Sequence, residues 1–102
     1  MATVVFEIEF TKDAHDDFRS LDGHIRAAIR QALEVYLRHE PTKVSKSRIK
    51  RLRALRRPQF RLRINNYRVY YDVEDELVTI LGIVSKVSSY DWLAYNSIEE
   101  DD

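Results

Sequence analysis

Residues 60–73 read FRLRINNYRVYYDV. Phe60, Leu62 and Ile64 alternate with Arg61 and Arg63; after Asn65-Asn66, Tyr67, Val69, Tyr71 and Val73 alternate with Arg68, Tyr70 and Asp72. Period two on both sides of a short polar break predicts an antiparallel hairpin. Asparagine tolerates the positive φ that a two-residue turn demands. Such a turn pairs Ile64 with Tyr67, Arg63 with Arg68, and Arg61 with Tyr70. Opposed Cβ atoms lie about 4.5–5.5 Å apart, and like charges placed there are destabilising. All three arginines share the face turned away from Phe60, Leu62 and Ile64. Stability alone does not favour this arrangement, and an anion held between the arginines would remove its cost. The hairpin thus points to a site as well as a fold.

Downstream, Glu74-Asp75-Glu76 turns the chain, and Leu77–Val84 is apolar on both faces, as a central strand would be. A three-residue loop here puts Arg68 opposite Gly82, with Gly82, Val84 and Lys86 on the arginine face and Tyr90 one helical turn beyond Lys86. Ser88 or Ser89 caps a last helix carrying Tyr90, Trp92, Leu93 and Tyr95. Trp92 and Tyr95 pack that helix against the sheet in preference to stacking on a base. Tyr71 belongs to the core, and Tyr70 borders the pocket. Residues 99–102 form an acidic tail expected to fray.

Upstream, Thr3–Phe10 alternates, with Val4, Phe6, Ile8 and Phe10 on one face, and reads as a strand. Thr11 is placed to cap a helix with Asp13 in its first turn and Ala14, Phe18 and Leu21 along one face. Asp22-Gly23 breaks it. Ile25, Ala28, Ile29, Ala32, Leu33, Tyr36 and Leu37 then repeat at helical spacing until His39, ahead of Pro41. Pro41–Ser47 opens a loop, Leu52 and Leu55 tether it, and Pro58 ends it. The order β-α-α-β-β-β-α predicts one α+β domain over residues 1–102. It has a four-stranded, mainly antiparallel sheet, an N-terminal αα-hairpin on one face and a short C-terminal helix.

The 102 residues carry 17 basic and 17 acidic side chains, yet the charges are segregated. Residues 1–42 hold 5 Lys/Arg and 8 Asp/Glu, residues 43–68 hold 11 and none, and residues 69–102 hold 1 and 9. A block of +11 between acidic flanks is the footprint of a polyanion partner. The absence of cysteine excludes disulfide scaffolds, thiolate metal sites and a thiol nucleophile, and it fits a reducing, cytoplasmic compartment. No apolar run approaches the roughly 18 residues of a membrane span. His15, His24 and His39 lie in the helical half and read as surface residues. Asp72 is the only carboxylate close to the arginine face, and a lone carboxylate is a poor magnesium site.

The run FRLRINNYRVYYDVEDELVTILGIVSK, with Tyr90 four residues after Lys86, resembles the RelE/ParE superfamily of bacterial toxins. The N-terminal strand and FTKDAHDDFRSL fit the same family, so the likeness spans nearly the whole chain. It implies the toxin of a toxin–antitoxin pair. RelE-type members are ribosome-dependent, metal-independent endoribonucleases that cut mRNA in the A site and stop translation. ParE-type members share the fold, poison DNA gyrase and generally lack the nuclease residues. The resemblance assigns catalysis to Arg61, Arg63, Arg68, Lys86 and Tyr90, with Arg68 on the scissile phosphate and Tyr90 stacking or transferring a proton. Lys86 stands where an Arg is usual, and Ser85 where many relatives carry His. Lys86 keeps the charge but loses the bidentate fork. Lys43, Lys46, Arg48, Lys50, Arg51, Arg53, Arg56 and Arg57 would grip ribosomal RNA. The implied partners are a cognate antitoxin, the ribosome and mRNA, with no membrane, metal or cofactor. The antitoxin would cover the basic face or displace the last helix. The arginine cluster favours the RelE-type reading; the alternative is a non-enzymatic, ParE-like gyrase inhibitor.

Overall fold

The computed structural model describes residues 4–101, so Met1–Thr3 and Asp102 lie outside the described residues. β1 (Glu7–Phe10) leads into α1 (Lys12–Arg19) and α2 (Gly23–Leu37). β2 (Ile49–Arg51), β3 (Leu55–Arg57), β4 (Phe60–Ile64), β5 (Tyr67–Glu74) and β6 (Leu77–Ser85) follow. A 3-10 turn (Lys86–Ser88), α3 (Ser89–Asn96) and β7 (Ile98–Glu99) complete the chain. The fold is α+β, as expected, but the main sheet has five strands, in the order β1-β6-β5-β4-β2, and β3 pairs with β7 in a second sheet of two. β1 runs parallel to β6; every other pairing is antiparallel.

The unforeseen strands all involve the basic block or the acidic tail. β2 adds to β4 with Ile49 opposite Leu62 and Lys50 opposite Arg61. Ile49 is buried in the core, which fixes the register of a strand otherwise made of cations. β7 draws in the tail expected to fray. The hairpin itself is as anticipated: Ile64 pairs with Tyr67, Arg63 with Arg68 and Arg61 with Tyr70, and Asn65 takes a φ of 51°. The next turn differs. Glu74 pairs with Leu77, so the loop is Asp75-Glu76, and Asp75 has a φ of 53°. Aspartate is one of the few side chains that accept that conformation. Together with a bulge on β6, this puts Arg68 opposite Val84 and Gly82 opposite Tyr70. Leu81 is an extra residue on β6, a bulge between the pairs Tyr70–Gly82 and Tyr71–Ile80.

The αα-hairpin covers one face of the sheet. Ala14, Ile29, Leu33 and Leu37 bury against Leu62, Val69, Tyr71 and Ile80, while Ala28, expected on this stripe, is exposed. Thr11 caps α1 by accepting the Ala14 N–H at 3.2 Å. Beyond the end of β1, the free edge of β6 is satisfied from α1. The Thr11 N–H donates to the Ile80 carbonyl at 3.0 Å, and the Asp17 carboxylate accepts the Ile83 N–H at 3.0 Å. Burial pushes the Asp17 carboxyl above its usual range, against the lowering effect of that hydrogen bond. The buried Tyr71 hydroxyl donates to the Pro41 carbonyl at 2.7 Å and ties the end of the helical hairpin to the sheet.

α3 lies on the opposite face. The Trp92 indole stacks on the Tyr70 ring with centroids 4.7 Å apart and planes 5° from parallel. This requires Gly82: a Cβ there would sit 2.6 Å from Trp92 Nε1. Trp92 thus packs as expected, whereas Tyr95 is exposed. Ser88 stands at the N-cap of α3, as expected, but its side chain makes no cap hydrogen bond; Ser85 caps the preceding 3-10 turn by accepting the Ser88 N–H. Gly82→Ala is expected to lift α3, abolish the Trp92 near-UV circular dichroism and cost about 1–3 kcal/mol by overpacking. On a Trp92→Ala background the same change should cost nearly nothing, because the two residues share one slot. Urea titration of the four proteins gives the coupling; simple additivity would show that the indole does not occupy that slot.

Candidate nucleic-acid site

The site is the sheet face that α3 only partly covers. Strand alternation and register put Lys50, Arg61, Arg63 and Arg68 on it from three adjacent strands, with Lys50 directly across from Arg61 and Arg63 directly across from Arg68. Among the described residues none of these four forms an ion pair; the pairs present are Arg38–Glu34, Lys43–Glu40 and Arg57–Asp72. Between β2 and β4 a small cavity of about 80 Å³ opens among Ser45, Lys46, Ser47, Lys50, Arg61 and Arg63.

Among the described residues Arg68 is the one buried charged residue, 6% exposed. Its Nη1 donates at 2.9 Å to the carbonyls of Asn65 and Tyr67, so the turn that sets the hairpin register also holds the guanidinium. Burial lowers its proton affinity, and Arg61 and Arg63 lower it further. The group stays cationic, since arginine titrates far above neutrality. Arg61 is half-buried and its Nε is a buried donor without a partner. Arg63 is exposed. The face thus has fixed charge beneath and accessible cationic donors above, with repulsion unrelieved among them.

Lys86 and Tyr90 are less tightly joined to this group. The Lys86 N–H donates to the Asn66 carbonyl at 2.6 Å, which brings the start of the 3-10 turn to the β4–β5 turn beside Arg63 and Arg68. The Lys86 side chain is exposed, and Tyr90 is 83% exposed at the first turn of α3. Neither side chain hydrogen bonds to the arginines, and Tyr90 is not a core residue. Tyr70 lies under Trp92 and is 1% exposed, so it forms the floor. What the sequence reading missed is the Tyr70–Trp92–Gly82 stack that fixes α3. Only Gly82 inside an otherwise apolar strand hinted at a close approach.

The basic block divides. Arg48 lies over the Tyr36 ring at 5.3 Å and donates to the Arg63 carbonyl, and Arg51 lies over Phe60 at 5.2 Å and donates to the Gln59 carbonyl. Arg57 pairs with Asp72 at 2.8 Å, and Lys43 with Glu40. These cations build the structure. Lys46, Lys50, Arg53 and Arg56 are exposed and outside the ion pairs. Asp72 also accepts the Gln59 N–H, so it fastens the start of β4. Among the described residues no three His, Asp or Glu side chains gather as metal ligands would, and no helix is long and apolar enough to cross a membrane. A cavity of about 590 Å³ lies between β1 and the helical hairpin, lined by Arg19, Arg26, Arg30 and Arg38 and by none of Arg61, Arg63 and Arg68.

This five-stranded fold with a cation face is that of a small toxin of the RelE/ParE type. The match to the family of ParE toxins of type II toxin–antitoxin systems runs over residues 8–90, and the chain belongs to that family. Among solved structures it is similar to a chain of the RelBE2 toxin–antitoxin complex from Mycobacterium tuberculosis. The identity is 31%, the TM-score 0.67, and the match covers 82% of this chain and 94% of that one. It also shares its fold with a chain of the RelE–RelB complex from Pyrococcus horikoshii OT3, at 21% identity and a TM-score of 0.66, covering 80% and 96%. No curated protein sequence matches.

The unrelieved repulsion sets a stability expectation. Arg63→Gln should stabilise the protein by about 0.2–1 kcal/mol at low salt, the range for a cross-strand pair. The gain should shrink at high salt as the charges are screened. Arg63 is the cleaner probe than Arg68, whose buried stem would leave a void. Urea unfolding of the parent and the variant at both salt concentrations measures this, and a loss of stability at low salt would refute it.

Proposed function

We propose that this toxin is a ribosome-dependent, metal-independent mRNA endoribonuclease of the cytoplasm, held in check by a cognate antitoxin. One observation carries the reading: cations on three adjacent strands share one face, lack acidic partners, and repel one another until an anion arrives. Its partner in the cell would be the ribosome with its bound mRNA, gripped by Lys46, Lys50, Arg53 and Arg56.

RNA cleavage of this type needs no external nucleophile. The 2′-oxygen attacks the adjacent phosphorus, a base takes the 2′ proton, the bond to the 5′-oxygen breaks, and an acid protonates that leaving oxygen. The products are a 2′,3′-cyclic phosphate and a 5′-hydroxyl. The negative charge on pentacoordinate phosphorus is what Arg61 and Arg63 would stabilise, with Arg68 adding fixed charge from beneath. Because the cations are oriented before substrate binds, little reorganisation is required. Lys86 and Tyr90 are the candidates for proton transfer, since each carries a transferable proton at the rim of the cation face. Tyr90, with its ring in solvent at the rim, is equally placed to stack on a base.

The family description favours a second reading, a non-enzymatic gyrase inhibitor of the ParE kind. Primer extension on mRNA bound to programmed ribosomes separates the two. The parent should cut within the A-site codon, cut free mRNA poorly and remain active in EDTA. Arg61→Ala with Arg63→Ala should abolish cutting and growth arrest while leaving the fold intact. Growth arrest with no cleavage and with gyrase-dependent DNA breaks would establish the second reading.

The role of Tyr90 is open to a direct measurement. If its hydroxyl transfers a proton, Tyr90→Phe should lose about 10²–10⁴-fold in single-turnover cleavage. If its ring stacks, Phe should be nearly active and Tyr90→Ala should lose about 1–3 kcal/mol. Neither variant should shift the melting temperature, given the exposure of the side chain. Parent-like cleavage by Tyr90→Ala would remove Tyr90 from the mechanism and leave Lys86 as the proton-transfer group.

A further inference from the structure

β7 brings the two ends of the charge map together. Leu55 pairs with Glu99 and Arg57 with Ile98, and the Glu100 N–H donates to the Ala54 carbonyl at 3.1 Å. Glu99, Glu100 and Asp101 therefore run alongside the loop that bears Arg53, Arg56 and Arg57. Ala54 adopts a φ of 64° at the turn of that loop, a conformation its side chain does nothing to favour. The segment lies beyond residue 90, where the family match stops.

We propose that residues Ile98–Asp101 act as an intramolecular competitor for RNA. The segment clips onto β3 through the backbone, brings three carboxylates alongside the exposed Arg53, Arg56 and Arg57, and is displaced when a polyanion takes their place. It is built to be reversible. β7 has two residues, both exposed, and a pair of strands this short has little stability of its own. Its carboxylates make no ion pair with Arg53, Arg56 or Arg57, so the competition is diffuse electrostatics and not a lock. A phosphate backbone has the higher charge density and gains from counterion release, which a tail of the same chain does not. The consequence is a threshold: weak or short anions leave the strap closed, and a dense RNA surface opens it. This inference rests on the reading of the basic block as an RNA-binding surface.

Fluorescence anisotropy of a labelled single-stranded RNA against the full chain, over a range of salt, tests it. Glu99→Gln, Glu100→Gln and Asp101→Asn together should bind about tenfold more tightly at low salt, and the gain should vanish at high salt. Glu7→Gln, Glu9→Gln and Asp22→Asn remove the same charge from β1 and the α1–α2 turn, outside the sheet of β3 and β7, and should gain much less. Equal gains from the two sets would mean that only net charge matters and would overturn the proposal. A covalent lock gives the second measurement. Ala54 and Glu100 form the hydrogen-bonded pair, so Leu55 and Glu99 are the adjacent, non-hydrogen-bonded pair, with Cα atoms close enough for a disulfide. Leu55→Cys with Glu99→Cys, in a chain that has no cysteine, should bind RNA weakly when oxidised and regain affinity when reduced. Equal binding in both redox states would overturn the strap. Binding by no form of the folded protein would overturn the RNA-binding reading itself, and the strap with it.

Discussion

Arg63 and Arg68 are held face to face by a two-residue turn, and much of the molecule is arranged around that opposition. The sheet cannot relieve it by slipping. A one-residue shift of β4 on β5 would send Phe60, Leu62 and Ile64 to the solvent face and drive Arg61 and Arg63 into the core. Nor can Arg68 swing clear, because its guanidinium is bonded to the carbonyls of the same turn. The hydrophobic register and the turn together enforce an electrostatic cost. The core on the other face stabilises the sheet enough to bear it, with Leu62, Val69, Tyr71 and Ile80 all closed off from water. A cost enforced this firmly is what preorganisation looks like before a ligand arrives.

The packing of α3 follows from the same strands. Tyr70 is across from Gly82 because the bulge at Leu81 shifts the register there. That pairing creates a flat aromatic floor beside a residue with no side chain, and the Trp92 indole fills the slot. One end of the cation face is thereby roofed by a helix while the β2 side stays open around Lys50 and Arg63. Under the proposed function, a polyanion would approach the face from the β2 side and the β4–β5 turn, with the first residues of α3 at the rim. The geometry of access is thus a consequence of one inserted residue in β6.

How much of this could be read in advance depends on where the information resides. The β4–β5 hairpin, the Thr11 cap and the stripe of α2 are local: their signals lie in alternation, spacing and side-chain chemistry within a few residues. The arginine face was legible for the same reason, being a matter of hairpin arithmetic. β2, β3 and β7 were not. Each has two or three residues, too short for a period, and each exists because a distant partner supplies its hydrogen bonds. Ile49, the one apolar anchor of β2, gave no pattern on its own. The bulge at Leu81 was hidden because Leu77–Val84 is apolar on both faces, so no alternation marks where it breaks. The sequence predicts a loop one residue longer than Asp75-Glu76, and that residue together with the unmarked bulge at Leu81 accounts for Arg68 facing Val84 and not Gly82.

The eleven cations of residues 43–68 are not equivalent, and the difference separates two physical tasks. Long-range attraction depends on net charge alone, and Arg48 and Arg51 still contribute to the field while their guanidinium groups rest on rings and carbonyls, whereas Asp72 offsets the charge of Arg57. Contact depends on donors with nothing else to bind, and those belong to Lys46, Lys50, Arg53, Arg56, Arg61 and Arg63. A field acts over about a Debye length, roughly 8–10 Å in physiological salt, and speeds encounter whatever the orientation of the partner. A hydrogen bond acts only where its donor points. Under the same proposal, tying arginines to rings and carbonyls would keep their steering charge yet confine the places where a phosphate could be held. Those places would lie on the open side of the sheet, where the loop, β2 and the β4–β5 turn meet.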